Sequence, residues 1–389
     1  MPNHRYDVVI AGSGPAAIEA ALVLRRLAGD LVRTTILTPD DLFVHLPMAV
    51  LVPFTRSGNV RHPLAQLVAS DDATVRAGTL ASVDPASREI RTSAGETITY
   101  DALLVAVGGV QASPYPRALT FGRAGADERM HGLIQDAEDG YVKRIAFVVA
   151  PGVTWPLPLY ELALMTAERV YAACAHTELM LVTHEPSAVA MFGATASRDI
   201  TDLLDVAGIS LKTGTSVELP ECNVLELQPQ GERHRVDRVV TLPTLTGPMI
   251  GGLPRDAAGF LPVDAHGRVV GAPGVYAAGD VTDFEIKQGG IACQQADAAA
   301  EAIAACAGAA IEPRPFSPVL RAVLLTEYEA RWLERDLNDT DGTSTAGGPR
   351  EGSLRWTTKI VGRELSRYLE QVPARVHRRH PAADVDSAA

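Results

Sequence analysis

The sequence predicts an α/β protein with two doubly wound parallel sheets, followed by a C-terminal segment of mixed, partly helical structure. Short apolar runs alternate with Ala- and Leu-rich stretches along most of the chain, which is the pattern of β-α-β units. Two such units can be separated, one beginning at Tyr6 and the other at Arg144. The length of 389 residues fits two or three domains, because single hydrophobic cores stop growing at about 250–300 residues.

The first unit is predicted to contain strands at 6–11, 34–37 and 97–107 and a helix at 15–27. Each strand is a short apolar run, and the helix is rich in strong helix formers. Residues 74–98 are expected to form a small antiparallel excursion, because Asp84-Pro85 and Ala94-Gly95 mark turns within it.

The second unit is predicted to contain strands at 145–150 and 178–183 and helices at 159–175 and 199–207. A short apolar run at 274–278 then enters a Gly-Asp pair, and a long Ala-rich helix at 290–307 follows. Residues 338–353 are rich in Gly, Ser, Thr and Asp and are predicted to be a flexible loop. The tail from Ala374 is expected to be frayed.

The composition excludes several classes of function. A net charge of −12 and a pI near 5.3 argue against nucleic acid as a partner, because phosphate binding needs a basic surface. The four cysteines, at 174, 222, 293 and 306, lack both a Cys-x-x-Cys pair and metal-ligand spacing, so we expect no metal site and no disulfide framework. We expect a cytoplasmic protein without a signal peptide or a membrane-spanning helix.

A glycine-rich turn, Gly12-Ser13-Gly14-Pro15-Ala16-Ala17, follows the first strand and opens the first helix. Gly12 permits a tight turn, Gly14 lets a pyrophosphate approach the backbone, and Ala17 allows close packing of helix on strand. The free N–H groups after Pro15 would face the phosphates. This order of elements predicts a dinucleotide site. Asp40, after the second strand, is the candidate ribose acid, and a solvated turn is the open alternative for it.

A second motif, Tyr276-Ala277-Ala278-Gly279-Asp280, places a carboxylate directly after a strand. Ligands of doubly wound sheets bind at the carboxyl ends of the strands. Asp280 could accept hydrogen bonds from a ribityl chain there, although alone it could be a helix N-cap. Together with the glycine-rich turn, it predicts FAD as the cofactor.

These two motifs and Leu104-Val105-Ala106-Val107-Gly108 are arranged as in the pyridine nucleotide–disulfide oxidoreductase superfamily. Within it, the chain most resembles the sulfide:quinone oxidoreductases and the type II NADH dehydrogenases, over about residues 5–310 and 356–369. The resemblance implies two Rossmann-like FAD/NAD(P)-binding domains. The FAD domain would be split into 1–120 and 243–312 around a degenerate nicotinamide-type domain at 121–242, and 313–389 would follow.

The resemblance also assigns roles to single residues. Ala106 and Gly108 would approach the adenine half of FAD, and Asp280 would hold its ribityl or pyrophosphate region. Residues 43–49, with Pro47, would lie beside the flavin.

The turn of the second unit departs from the NADH-using pattern. Residues 150–158 contain one glycine, three prolines and Trp155. Proline removes N–H donors and Trp155 would fill the phosphate space, so we expect NAD(P)H not to bind in the usual pose. Glu185, after the next strand, could still serve as a ribose acid.

This turn, followed by Tyr160-Glu161, is similar to that of sulfide:quinone oxidoreductases and flavocytochrome sulfide dehydrogenases, which do not use NADH. Those enzymes carry a redox cysteine about where this chain has Trp155, and persulfide relay needs a thiolate close to the flavin. Cys293 is the cysteine nearest to the inferred flavin site. Both a redox role and a role as a small buried hydrophobe stay open for it.

Two charged residues are the candidate catalytic groups. By the resemblance, Glu161 approaches the isoalloxazine, where a buried carboxylate could relay protons to flavin or to a quinone. The alternative is an acid in the first helical turn, stabilised by the helix dipole. Lys287 could stabilise reduced flavin near N1, and Gly289 and Gly290 would let a helix N-terminus point at the same edge. A surface position is the alternative for Lys287.

Residues 359–372 carry apolar side chains at helical spacing within a locally basic stretch. The apolar residues are Ile360, Val361, Leu365, Tyr368, Leu369 and Val372. They predict a helix packed on the flavin domain or on a partner subunit of a homodimer. Peripheral contact with an anionic membrane, at its inner face, is the alternative.

The sequence therefore predicts an FAD-dependent oxidoreductase that passes electrons from an unidentified small-molecule donor to a quinone or another acceptor. The first alternative is an NAD(P)H:acceptor oxidoreductase of the type II NADH dehydrogenase kind. The second is a flavin-bound redox sensor or interaction module.

Overall fold

The computed structural model describes residues 5–54, 61–68, 73–326, 330–338, 344–347 and 359–371. The strands among them are, in chain order, β1 (Tyr6–Ala11), β2 (Val32–Thr38), β3 (Leu42–Val44), β4 (Arg61–Pro63), β5 (Ala73–Ala77), β6 (Leu80–Asp84), β7 (Glu89–Thr92), β8 (Thr97–Thr99), β9 (Ala102–Val105), β10 (Val110–Ala112), β11 (Leu119–Thr120), β12 (Arg144–Val149), β13 (Glu178–Thr183), β14 (Ile209–Lys212), β15 (Ser216–Glu221), β16 (Val224–Gln228), β17 (Glu232–Arg235), β18 (Arg238–Thr241), β19 (Thr244–Thr246), β20 (Val275–Ala277), β21 (Val319–Leu325), β22 (Ala330–Asp336) and β23 (Ser344–Gly347).

The α-helices are α1 (Pro15–Ala28), α2 (Leu64–Leu67), α3 (Ala126–Glu138), α4 (Leu157–Ala172), α5 (Ala194–Val206), α6 (Gly289–Cys306) and α7 (Leu365–Gln371). Short 3-10 helices lie at Gly29–Leu31, Leu46–Phe54 and Ala190–Phe192. No helix among the described residues is long and apolar enough to cross a membrane.

The first parallel sheet has the strand order β20-β9-β1-β2-β5. Its central strands are buried on both faces, as parallel strands are when other layers cover them. The Ala-rich helices α1 and α6 pack together on one face, and the antiparallel strands β6, β7 and β8 cover part of the other. Because β20 comes from residues 275–277, this sheet joins two stretches that are distant in the sequence.

The second parallel sheet has the order β11-β18-β12-β13-β14. Helices α3, α4 and α5 pack on one face around large side chains such as Phe147 and Tyr160. The antiparallel strands β15, β16 and β17 cover the other face. The two parallel sheets with their helices confirm the predicted α/β fold class.

The predicted strand at 97–107 is wrong as a single element. It divides into β8, which belongs to the antiparallel excursion, and β9, which belongs to the first sheet. The break lies at Tyr100 and Asp101, whose amides donate to Arg88 and Asp7 carbonyls at 3.0 and 2.8 Å. The excursion itself is also shorter than predicted, because Ala73–Ala77 joins the first sheet as its edge strand.

Strands β21, β22 and β23 form an antiparallel sheet that the sequence did not predict. The predicted flexible loop at 338–353 is therefore wrong for Ser344–Gly347, which pairs with β22. Residues 339–343 and 348–353 lie outside the described part of the chain, as does the tail from Ala374.

Residues 359–371, the docking segment, are helical only from Leu365 onwards, so the predicted helix starts too early. Ile360, Leu365 and Leu369 are buried in the same core as α1 and α6. This confirms the predicted packing on the first unit for these three residues. The more distal basic residues of the predicted helix lie outside the described part of the chain.

Buried carboxylates hold the docking segment in place. Glu19, on α1 and fully buried, accepts the amides of Glu364 and Leu365 at 2.7 and 2.8 Å, so it caps the start of α7. Arg363 lies 3.6 Å from Asp297 and 3.0 Å from Glu301, both on α6. Burial, together with the charge of Glu19, raises the pKa of Asp297 to about 7, so Asp297 keeps a proton through the acidic range.

We expect Asp297→Asn to flatten the pH dependence of stability. An unfolded Asp titrates near pH 3.9, whereas folded Asp297 titrates near 7. Between these values the folded state binds more protons, so the free energy of unfolding falls as pH rises, by up to about 4 kcal/mol. Denaturant unfolding at several pH values from 4 to 8 measures this slope. Asp202→Asn, at an exposed position of α5, should keep the wild-type slope, and an unchanged slope in Asp297→Asn would contradict the assignment.

Candidate active site

The glycine-rich turn forms an open cradle at the start of α1. Gly12 has φ 127°, and a Cβ there would lie 2.1 Å from the Ala106 carbonyl oxygen, so only glycine allows the ends of β1 and β9 to meet. Around Gly14, by contrast, no described atom lies within 4 Å of a Cβ position. Helix α1 begins at Pro15 without a side-chain cap. The free amides and the positive end of the helix dipole suit an anionic group in this space.

A second turn adjoins the first at the end of β20. A Cβ on Gly279 would lie 3.3 Å from the Ala16 Cβ and 3.4 Å from the Ala292 Cβ, so glycine lets α1 and α6 converge here. The carboxylate of Asp280 accepts no hydrogen bond from the described residues. Burial raises its pKa, and the charge of Lys287 opposes that rise. Asp280 is therefore available to a ligand at this edge.

Ala106, Gly108 and Asp40, also predicted to bind the cofactor, follow strands at the same edge of the first sheet. Ala106 and Gly108 follow β9, and Gly108 has φ 77° with open space at its Cβ position. Asp40 is exposed just after β2, Ala17 is fully buried in α1, and Pro47 lies in the 3-10 helix Leu46–Phe54. The strand order β20-β9-β1-β2 thus brings the turns after these strands to one edge, where doubly wound sheets bind ligands. Pro47 belongs instead to a 3-10 helix whose Met48 and Phe54 pack in the core around the second sheet.

Glu161 forms a buried ion pair with Lys359, the Glu161–Lys359 pair. The Lys359 Nζ lies 2.5 and 2.7 Å from the two carboxylate oxygens, and the Leu325 amide donates to Oε1 at 2.8 Å. Glu161 is fully buried and Lys359 is 8% exposed. Burial raises the pKa of Glu161, and the Lys359 ammonium partly offsets that rise.

The position of Glu161 in α4 stands against the alternative of an acid in the first helical turn. The helix starts at Leu157, and its first turn contains no acidic residue. Glu161 is therefore not an acid stabilised at the helix N-terminus, and its burial comes from the pairing with the docking segment. The sequence placed Lys359 only in the basic C-terminal stretch, before the apolar pair Ile360-Val361, and gave no indication that it pairs with Glu161.

The docking segment explains one of the two predicted glycines. A Cβ on Gly289 would lie 3.2 Å from Ile360 Cγ1. A Cβ on Gly290 would lie 3.0 Å from the side-chain oxygen of Gln288, which caps α6 by accepting the Ile291 amide at 2.9 Å. Gly289 therefore lets the docking segment approach the start of α6, which puts the Glu161–Lys359 pair beside that helix end.

Lys287 is buried and is not a surface lysine. Its ammonium donates to the Thr282 carbonyl oxygen and lies 3.8 Å from the Phe260 ring centroid. Burial lowers its pKa, and the charges of Asp280, Asp283 and Asp256 oppose that. Among the described residues no ion pair joins Lys287 to Glu161. The predicted influence of Lys287 on flavin stays a prediction.

The ribose acid of the second unit is already engaged. The Glu185 carboxylate accepts hydrogen bonds from the Tyr160 hydroxyl and the Thr183 hydroxyl, each at 3.0 Å, and from the Ala190 amide at 3.1 Å. Trp155 packs edge-on against Phe192, with ring centroids 5.9 Å apart. These contacts occupy the carboxylate that an adenosine ribose would need.

Cys293 lies in the core between α1, α6 and the docking segment. Its thiol is 3.8 Å from the Pro15 carbonyl oxygen, and burial raises its pKa well above the usual range. Such a thiol is inert, so this placement favours the packing role. The other three cysteines are exposed and form no disulfide, and none lies in the turn after β12.

The family follows from a match over most of the chain. The profile described as pyridine nucleotide-disulphide oxidoreductase matches residues 6–299. The chain belongs to the pyridine nucleotide-disulphide oxidoreductase family. This confirms the resemblance drawn from the motifs and the prediction that the protein is an oxidoreductase.

Individual relatives of this oxidoreductase differ in the closeness of the match. Two NADH dehydrogenase-like proteins from strains of Mycobacterium tuberculosis are each 28% identical over 237 residues, which span 57% of this chain and 58% of the relative. The sulfide:quinone oxidoreductase of the hyperthermophilic bacterium Aquifex aeolicus is 19% identical with a TM-score of 0.78, covering 88% of this chain and 87% of that chain.

The NDH2 of Plasmodium falciparum, solved in complex with NADH, is 15% identical with a TM-score of 0.58 and covers 72% of this chain and 65% of that chain. At these identities the solved structures show the shared fold. The curated relatives match this oxidoreductase over little more than half of their length.

Two glycine substitutions in one turn should separate folding from cofactor binding. Gly12→Ala forces a methyl group onto the Ala106 carbonyl at a positive φ and should destabilise the apoprotein by about 2–4 kcal/mol. Gly14 has φ −79° and open space at its Cβ position. Gly14→Ala should therefore change apoprotein stability by less than about 1 kcal/mol, yet weaken FAD binding by about tenfold or more. Denaturant unfolding and FAD titration measure the two effects. Full FAD affinity in Gly14→Ala would place the pyrophosphate elsewhere.

Proposed function

We propose that this oxidoreductase binds FAD and reduces a quinone, with the Glu161–Lys359 pair as the source of protons. The observation that carries the proposal is the burial of this pair beside the start of α6. A buried ion pair adds little net stability compared with apolar side chains. The presence of the pair next to the inferred flavin edge is better explained by a role in proton transfer.

The FAD part of the proposal is supported by the edge of the first sheet. Gly14 and the uncapped start of α1 would hold the pyrophosphate, and Asp280 would bind the ribityl or pyrophosphate region. FAD, when bound, supplies the redox centre that accepts and releases electron pairs. Gly12 and Gly279 allow the strands and helices to approach closely at this edge, and Gly14 leaves open space there for a ligand.

The quinone part is supported by the need for protons. Reduction of a quinone to a quinol consumes two electrons and two protons, and a buried site requires side chains to deliver protons. The Lys359 ammonium can donate a proton at Nζ. Glu161 holds that ammonium in place, and its raised pKa lets its carboxylate share the proton. A quinone acceptor would also bring the protein to a membrane surface, as the peripheral-contact alternative for the basic C-terminal stretch implies.

The electron donor in this proposal is a small molecule other than NAD(P)H. The engaged Glu185, Trp155 on Phe192, and the prolines of the turn all stand against a nicotinamide cofactor in the usual pose. A persulfide route from sulfide would need a thiolate that the buried Cys293 does not offer. The naming of the Mycobacterium tuberculosis relatives keeps an NAD(P)H:acceptor oxidoreductase as the second candidate function.

Anaerobic reduction of the FAD-loaded protein should separate these candidates. We expect a yellow protein that NADH and NADPH, up to about millimolar concentration, bleach slowly or not at all in stopped flow. Sulfide and low-molecular-weight thiols are tested as electron donors in the same experiment. Fast, saturable bleaching by NADH would establish the second candidate, and a protein that reconstitutes with no FAD would reject both.

Glu161→Gln should slow re-oxidation by a quinone by about tenfold or more, because general acid–base groups contribute roughly 10²–10⁴-fold. Ferricyanide takes up electrons without protons, so re-oxidation by it should change by less than about twofold. Stopped-flow oxidation of the reduced protein measures both. The matched control is Glu138→Gln, which breaks the 2.5 Å ion pair with Arg169 at the far end of α4 and should affect neither rate. Equal rates with quinone in Glu161→Gln and wild type would reject the proposed function.

A further inference from the structure

We propose that Gln295 is a positioning residue for the cofactor, since its side-chain amide fixes the turn from Gly279 to Thr282 and thereby directs the Asp280 carboxylate. This inference rests on the proposed function, because it assigns the residue that prepares Asp280 for FAD. Gln295 acts through the backbone on both sides of Asp280 and does not itself bind the cofactor.

A ring of buried hydrogen bonds joins Gln295, on α6, to both ends of the turn. Gln295 is 5% exposed and Thr282 is fully buried. The Gly279 amide donates to Gln295 Oε1 at 2.8 Å, and Gln295 Nε2 donates to the Thr282 hydroxyl oxygen at 3.1 Å. That hydroxyl donates to the Gly279 carbonyl oxygen at 2.9 Å. The ring therefore closes around the backbone that precedes and follows Asp280.

The ring requires a side chain that accepts a hydrogen bond at one end and donates one at the other. The Gly279 amide can only donate, so an oxygen must face it. The Thr282 hydroxyl has one proton, and the Gly279 carbonyl at 2.9 Å is closer to it than Gln295 Oε1 at 3.4 Å. A donor must then face the hydroxyl oxygen, and Gln295 Nε2 supplies it. A side chain without this amide would leave the buried Gly279 amide without its partner.

The far end of the turn is held from further sides. The Thr282 amide donates to the Gly279 carbonyl oxygen at 3.0 Å, and the Leu261 amide donates to the Val281 carbonyl oxygen at 2.9 Å. The Lys287 ammonium donates to the Thr282 carbonyl oxygen. These contacts leave the backbone of the turn little freedom to change its conformation.

The Asp280 carboxylate contrasts with the backbone around it. Among the residues that the structure describes, none donates a hydrogen bond to this carboxylate, and Lys287 acts on it only through its charge. A ligand group held by a supporting set of hydrogen bonds needs little further ordering when the ligand arrives. The arrangement thus suits a carboxylate that is fixed in advance for the hydroxyl groups of a ribityl chain.

A double-mutant cycle in FAD affinity tests whether Gln295 acts through Asp280. Gln295→Met keeps a side chain of similar length without the amide, and it should weaken FAD binding by about tenfold or more. In an Asp280→Ala background the same change should weaken binding by less than about twofold, because the carboxylate to be positioned is gone. FAD titration of the apoprotein gives both values, and denaturant unfolding of each apoprotein is measured alongside.

Gln294→Met is the matched control for this cycle. Gln294 precedes Gln295 on α6, and its amide also makes a pair of hydrogen bonds, but to the Val319 carbonyl oxygen and the Val319 amide, each at 2.9 Å. Any effect of Gln294→Met on FAD affinity should be the same, within about twofold, with and without Asp280→Ala. Thr282→Val, which removes only the hydroxyl of the ring, enters the same cycle if Gln295→Met does not fold.

The pH dependence of FAD binding in Gln295→Glu gives a second readout. A protonated carboxyl can accept at one oxygen and donate from the other, and burial raises the pKa of the introduced group. FAD affinity at pH 5 should therefore remain close to that of the wild type. As the pH rises, the introduced carboxyl loses its donor toward Thr282 and repels Asp280. Affinity relative to wild type should then fall by about tenfold or more by pH 8.

The outcomes separate this inference from the proposed function. If the wild type binds no FAD, the proposed function fails and this inference fails with it. If the wild type binds FAD and Gln295→Met weakens binding equally in both backgrounds, the role of Gln295 is structural, so positioning is rejected and the proposed function stands. Unchanged FAD affinity in Gln295→Met, or a wild-type pH dependence in Gln295→Glu, would also overturn the positioning role alone.

Discussion

The capping of α7 by Glu19 is the contact on which the site depends. Glu19 lies on α1, about one turn after the predicted pyrophosphate cradle at the start of that helix, and it accepts the amides of Glu364 and Leu365. This fixes the docking segment against the first unit. Lys359, at the start of that segment, then reaches Glu161 on α4 beside the second sheet. A single buried carboxylate thus links the cofactor edge, the C-terminal residues and the second unit.

The sequence predicted the features that depend on short stretches of chain. Strands β1 and β13 have the predicted bounds, and the glycine turns lie where the motifs put them, because an apolar run or a turn is encoded within a few residues. Long-range pairing was harder to predict. Nothing local distinguishes Ala73–Ala77 as an edge strand of a parallel sheet from the antiparallel strands that follow it. Assigning Ala73–Ala77 to the first sheet requires knowing that it pairs with β2, which is a contact between distant parts of the sequence.

The candidate site shows the same limit in its chemistry. Glu161 was identified by resemblance, but its partner Lys359 is 198 positions away, and no spacing rule joins two such residues. The role of Gly289 and Gly290 at the flavin stays a prediction, and the structure adds a packing reason for Gly289, which admits Ile360 to the start of α6. The turn after β12 was interpreted from its local residues, because proline lacks the N–H that could bind a phosphate, and the exclusion of NAD(P)H from the usual pose stays a prediction.

Charge balance explains why these buried groups can coexist. Glu161 is neutralised by Lys359, Asp280 lies in the field of Lys287, and Asp297 keeps a proton beside Glu19 while facing Arg363. An isolated buried ion would cost far more than its contacts return, so each charge is paired or protonated. His45 and His62 fit the same rule, because burial lowers the pKa of each imidazole and favours its neutral form. A proton that leaves Lys359 would leave the Glu161 carboxylate as an unpaired buried charge, so the pair can give up a proton only if another proton returns to it promptly.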